Sequence, residues 1–302
     1  MASTMLQLVQ QATGELGLGV PTYVAGNPAT DTIQQLALLN ALGYELQQQF
    51  DWQHAITEYR FTIAYLATTG NTTSGSAVVT NIPTTAAITA GTYMAIGNGI
   101  PVDTYVQSVD SGTQVTLSQN ATATGTAVTL NFCKTKYSFP SDYDRPVNKT
   151  QWDKSKHWEL MGPVTAEQWQ FLKSGFVSTG PRISYRALGG YFQIWPATAS
   201  SEYLGFEYMS KNWAFDSGGT AKGSFTVDTD TCVFPDRLMV LGLKLKYWEI
   251  KGFDTTALNR DFSAQLSIAK ASDKGAPTLS MSPRIATILI GPNQIPDSGY
   301  GS

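Results

Sequence analysis

Leu6, Val9, Ala12 and Leu16 recur at helical spacing, which predicts a first helix with Ser3 as its N-cap and Gly17 or Gly19 as its stop. A second helix follows "NPATD", with Thr30 or Asp31 as cap and an apolar stripe of Ile33, Leu36, Leu39, Gly43, Leu46 and Phe50. Ile56 and the stretch Tyr59–Leu66 then change to strand character. Beyond the middle of the chain, "TAEQWQFLKSG" predicts a short helix capped by Thr165 and stopped by Gly175. "RISYRALGGYFQIWPA" predicts a hairpin turning at Gly189-Gly190, and "EYLGFEYMSKNWAF" and "KGSFTVDTD" predict further strands. "FPDRLMVLGLKLKYWEIKGF" predicts a helix that is apolar nearly all round and so is covered on more than one side. Leu258, Phe262, Leu266 and Ala269 mark a last helix, and residues 276–302 show no helical period and read as an extended tail.

One segment breaks this pattern. From Thr68 to Phe132 there are sixteen threonines, no Lys, Arg or Glu, and two acids, Asp103 and Asp110. Short runs such as "SAVVT", "TYVQSV", "QVTLS" and "AVTLNF" alternate with Gly- and Asn-bearing turns, the signature of a small all-β module. The strand pattern it interrupts resumes at "NFCKTKYSFPSDYDR", so the module reads as an insertion into a hairpin of the main fold. The expected class is α+β: a helical bundle with an antiparallel β-sheet subdomain, an inserted β-module and an extended C-terminal tail. The expected division is an N-terminal core of residues 1–67, the insert 68–132, the rest of the core 133–275 and the tail 276–302.

Composition narrows the classes. The 302-residue chain is 14% charged, well below the roughly 25% of an ordinary soluble domain, so much of its surface is expected to be covered by neighbouring subunits. A net charge of −3 argues against an electrostatic grip on nucleic acid. Cys133 and Cys232 are too few for a disulfide framework. The N-terminus has no basic, then apolar, leader pattern and no apolar run reaches membrane-spanning length, so synthesis in the host cytoplasm is expected.

Chemistry concentrates in "SDYDRPVNKTQWDKSKHWELMGP", residues 141–163. Asp142, Asp144, Asp153 and Glu159 offer a glycosidase pair, although loop acids are more commonly solvated or ion-paired. Trp152, Trp158 and Trp169 offer a sugar platform, or cover for a sheet or a subunit contact, and the second reading is preferred. Asp228 and Asp230 lack the Gly and Glu of a calcium loop, and His54 and His157 stand in unrelated contexts without a nucleophile. No enzyme activity, metal or cofactor is expected.

The series "LLNALGYELQQQFDW", "FPSDYDRPVNKTQWDKSKHWELMGP", "TAEQWQFLKSG", "FEYMSKNW" and "VDTDTCVFPDRLMVLGLKLKYWEIKGFD" resembles the head-to-tail adaptors of tailed bacteriophages, also described as head-completion or tail tubular A-type gatekeeper proteins. The resemblance covers roughly 1–66 and 134–275, outside the insert. It implies a structural virion protein that forms a dodecameric ring below the portal protein and extends the DNA channel to the tail nozzle or tail tube, enclosing DNA without reading its sequence. It also implies a packing or subunit-contact role for the strap, through Arg145, Trp152, Trp158 and Trp169. The C-terminal extension would climb the portal through Met281, Pro283, Arg284, Ile288, Ile290 and Tyr300. Adaptors of this kind lack the insert, which either meets tail fibres or covers the ring. The alternative class is a carbohydrate- or receptor-binding phage tail protein that uses the tryptophans and the insert.

Overall fold

The computed structural model describes residues 3–175 and 182–274. Helix α1 (Met5–Leu16) opens the chain under a reciprocal cap: the Gln7 amide donates to Thr4 Oγ1, and Gln7 Oε1 accepts from the Thr4 amide. The cap is thus Thr4 and not Ser3, whose amide and hydroxyl donate instead to Asp236. Gly17 ends the helix in the left-handed region at φ 72°. Helix α2 (Thr30–Gln49) has Ala29 at its N-cap position, so neither Thr30 nor Asp31 caps it. Its buried face is Thr32, Gln35, Leu39, Leu42, Gly43, Leu46 and Gln47, whereas Ile33, expected inside, is 55% exposed.

Strand β1 (Ile56–Thr62) turns at Ile63-Ala64 into β2 (Tyr65–Thr72). There follow β3 (Val78–Val79), β4 (Tyr93–Gly97), β5 (Val106–Ser111), β6 (Gln114–Leu117) and β7 (Gly125–Lys134). They make two antiparallel three-stranded sheets, in the orders β2-β7-β4 and β3-β6-β5. Between the sheets lies a core of its own, with Val79, Ile82, Val106, Val115, Leu117, Leu130 and Phe132 buried. Threonine suits such a module because its branched Cβ favours the extended backbone while its hydroxyl bonds nearby main chain, as Thr72 does to the Ala123 carbonyl and Thr85 to that of Ser111.

Strands β8 (Lys136–Ser138), β9 (Tyr143–Pro146), β10 (Trp152–Asp153) and β11 (Trp158–Glu159) precede helix α3 (Ala166–Lys173), which Thr165 and Gln168 cap as Thr4 and Gln7 cap α1. Strands β12 (Ser184–Leu188) and β13 (Tyr191–Trp195) form the expected hairpin, with Gly189 at φ 62° and Gly190 at φ 78° in its turn. Strand β14 (Tyr203–Ser210) is the spine of the largest sheet: β1 pairs along one side in a seven-residue register, and β10 and β9 share the other. An aromatic core of Phe192, Phe206, Tyr137, Tyr185 and Tyr208 lies between this sheet and the β12-β13-β8 sheet.

Short strands β15 (Ala214–Phe215), β16 (Ala221–Lys222) and β17 (Thr231–Cys232) lead to helices α4 (Asp236–Lys251) and α5 (Thr256–Lys274). The strand expected over "KGSFTVDTD" ends at Lys222; the rest is a loop organised by two carboxylates. Asp230 Oδ2 accepts from the amides of Thr226 and Val227 and from Lys222 Nζ, and Asp228 Oδ1 accepts from the amides of Val24 and Ala25. The apolar girth of α4 is explained by its neighbours, for α1, α2 and α5 all pack on it. The fold is therefore α+β, with five helices and several antiparallel sheets among the described residues.

The 65–134 region joins the rest through β2 and β7, which run side by side, and their exits are pinned: the Lys134 amide donates to the Ala64 carbonyl, and the Ile194 amide to that of Thr135. A further cluster closes the seam, with Met94 of the module against Trp169 of α3 and Trp195 of β13. Neither the helical nor the aromatic core takes a residue from 68–132. Replacing that segment by a short Gly/Ser turn is therefore expected to leave a cooperative melt. Exposure of Trp169 and Trp195 should lower stability by roughly 2–4 kcal/mol and shift tryptophan emission to the red. Thermal denaturation followed by circular dichroism and fluorescence checks this, and loss of the main transition would refute it.

Candidate functional site

Residues 141–163 form an integral part of the sheet, because three short strands, β9, β10 and β11, stitch them to β14. Asp142 accepts from the Tyr208 hydroxyl at 2.9 Å and from Ser210 Oγ at 2.7 Å, which pushes the Tyr208 phenol upward on top of the effect of burial. Arg145 ties the strap to the end of α2, with Nη2 2.6 Å from Asp51 Oδ1 and Nη1 2.5 Å from Asp144 Oδ2. The nearly buried Asp153 accepts from the amides of Ser155 and Lys156 and so fixes the β10–β11 turn. Gln151 Oε1 accepts from the Tyr185 hydroxyl beneath.

The three tryptophans close in sequence do not form one platform. Trp169 is 1% exposed and belongs to the seam with Met94 and Trp195. Trp158, 39% exposed, lies under the Arg182 guanidinium at 6.0 Å. Trp152 alone borders an open hollow of about 590 Å³, together with Glu58, Lys149, Thr150, Asp153, Lys154, His157 and Glu207. Of the acids singled out in the sequence, Asp153 borders this hollow, but its carboxylate, like those of Asp142 and Asp144, is engaged in the bonds already described.

The hollow sits on the side of the sheet opposite its aromatic core. Along β1 and β14, Tyr59, Phe61, Leu204, Phe206 and Tyr208 turn to that core, leaving Glu58, Arg60, Gly205 and Glu207 on the other face. Glu58 and Glu207 are register partners, and Gly205 is the partner of both Arg60 and Trp152. A side chain at Gly205 would meet the stem of Lys154, which crosses the gap to bind Glu58. Hydrogen bonds from Arg60 and then Lys154 hold the Glu58 carboxyl at about 2. Glu207 and Lys149 have no ion-pair partner among the described residues.

Sequence reasoning missed Glu58, Lys149, Lys154, Gly205 and Glu207. The signal available for three of them was alternation, in "TEYRF" and "YLGFEYM". Asp228 and Asp230 are structural pins, and no group of three His, Cys, Asp or Glu among the described residues is placed to hold a metal ion. Both cysteines are buried, and burial pushes each thiol up to about 12. No helix among the described residues is long and apolar enough to cross a membrane. Met281, Pro283, Arg284, Ile288, Ile290 and Tyr300 lie outside the described residues. No protein-family model matches the chain, and no curated protein matches it.

Proposed function

We propose that the chain is a structural virion protein of the head-to-tail adaptor class, which assembles into a dodecameric ring between portal and tail nozzle or tube. The observation that carries this reading is the exposure of large apolar side chains around the helices. Ile33 and Tyr44 on α2, Ile250 and Phe253 at the end of α4, and Ile268 on α5 are each more than half exposed. Apolar residues spread over different faces suit the head-to-tail contacts of a closed ring, in which two unlike surfaces of each copy meet its neighbours. A chain with few cations also suits a channel along which DNA must slide.

In this reading helices α1, α2, α4 and α5 are the bundle of the adaptor core and the strap braces its sheet. Residues 276–302 supply the portal contact. The 68–132 module projects from the ring core, and the apolar groove of about 460 Å³ at its seam, bordered by Ile96, Ile100, Val102 and Ala197, is suited to contact with tail fibres. The test is sedimentation of the protein alone and mixed with its phage's portal ring. Co-sedimentation as a twelve-fold complex is expected. Phe253→Asp combined with Ile268→Asp should reduce it at least tenfold with the melt unchanged. A protein that stays apart from the portal would refute the reading.

A further inference from the structure

The hollow beside Trp152 has a composition that selects its ligand. Two carboxylates, Glu58 and Glu207, and two cations, Lys149 and Lys154, line it, while the buried Asp153 carboxylate is committed to the amides of the β10–β11 turn. The charges cancel, so neither a phosphate nor a metal cation is drawn in by the local field. What remains is an indole wall, fixed hydrogen-bonding groups and room for a small molecule. We propose that this hollow binds one neutral hexose ring, either as a free saccharide or as a unit of a glycan.

A pyranose has an apolar C–H face and a belt of hydroxyls that both donate and accept. The Trp152 ring offers a flat apolar surface for the first. For the second, Glu207 is an acceptor and Lys149 a donor, both lining the hollow and neither ion-paired among the described residues. The Thr150 hydroxyl is already committed, since it donates to the Val147 carbonyl and accepts from the Glu207 amide, so it holds the rim in place. Gly205 keeps the floor low between Arg60 and Trp152, where a larger residue would push the end of the Lys154 side chain aside.

Glu58, clasped by Arg60 and Lys154, is a fixed ionised group at the edge of the hollow. Because the hollow is open, affinity of about 1 mM is expected for a single ring. This inference is independent of the assembly reading, since the site lies within one chain.

The test is saturation-transfer NMR on the full chain with glucose, galactose, N-acetylglucosamine, maltose and lactose, and with glucose 6-phosphate and glucosamine as charged comparators. Transfer to the ring protons of at least one neutral sugar is expected, weakened at least about tenfold by Trp152→Ala and by Glu207→Gln. Trp152→Phe, which keeps an aromatic face, should retain binding and guards against a folding defect in the alanine variant. Absence of transfer to every neutral sugar, transfer unchanged in Glu207→Gln, or tighter binding of a charged comparator would overturn the proposal.

Discussion

Gly43→Ala is expected to destabilise the protein by about 2–3 kcal/mol, although alanine in mid-helix ordinarily favours a helix by roughly 1 kcal/mol. Gly43 lies on α2 where the indole of Trp213 crosses it, and a Cβ there would fall inside van der Waals contact with Cη2, Cζ2 and Cε2 of that ring. The ring has no room to withdraw. Trp213 is fully buried, edge-on to Phe225 with centroids 4.8 Å apart, and tilted against Phe234 at 6.2 Å. Trp213→Phe alone should also destabilise, by about 2–3 kcal/mol for lost volume, less whatever is regained by removing an indole N–H that has no acceptor. Together the two changes should cost clearly less than their sum, because the smaller ring frees the space that the new methyl needs. Urea denaturation of the three variants measures the coupling, and strict additivity would show that Gly43 and Trp213 do not constrain each other.

The second large effect is expected at Asp230. Its carboxylate is buried, and Oδ2 gathers the Thr226 and Val227 amides and the Lys222 ammonium into one loop. The same loop holds the N-terminal region, for the Met5 amide donates to the Asp230 carbonyl, and Asp228 fixes residues 24 and 25. Asp230→Ala strands two amides and a partly buried cation, at a cost of about 3 kcal/mol, and should loosen α1 as well. Burial by itself would raise the Asp230 carboxyl, but the bonds from Lys222, Thr226 and Val227 outweigh it and leave the group below its ordinary value. The linkage follows: with the folded value depressed, this stabilisation is complete above the unfolded pKa and disappears as pH falls through the folded one. Acid unfolding below about pH 4 should therefore be less steep in Asp230→Ala than in the parent. An unchanged acid limb in the variant would assign that transition to other carboxylates.

The parts that were legible in the sequence are those specified locally. The helical spacing of Leu6, Val9, Ala12 and Leu16, the Thr165 cap and the Gly189-Gly190 turn each act within a few residues, and the structure contains the helix, the cap and the turn. The threonine-rich strands were legible for the same reason, since alternation and turn residues mark each run. What depended on distant partners was hidden. The strap looks like a charged loop because its pairing partner, β14, comes roughly fifty to seventy residues later. "KGSFTVDTD" alternates like a strand, yet Asp228 and Asp230 are worth more as acceptors for exposed amides than as members of a ladder. The hollow was the least legible feature. Glu58 and Glu207 become neighbours only through the β1–β14 register, while the tryptophans that stand close in sequence are separated by a hairpin and a helix start.

The exits of β2 and β7 also determine how the molecule carries load. A pull on the 65–134 region reaches the body through two adjacent strand exits and through the Met94 contact with Trp169 and Trp195. One exit continues into β1, moored to β14 by seven register pairs; the other continues into β8, moored to β13 by three. Equal tension on unequal moorings does not divide the strain evenly. Of the two strand moorings, the shorter, at β8, is the weaker.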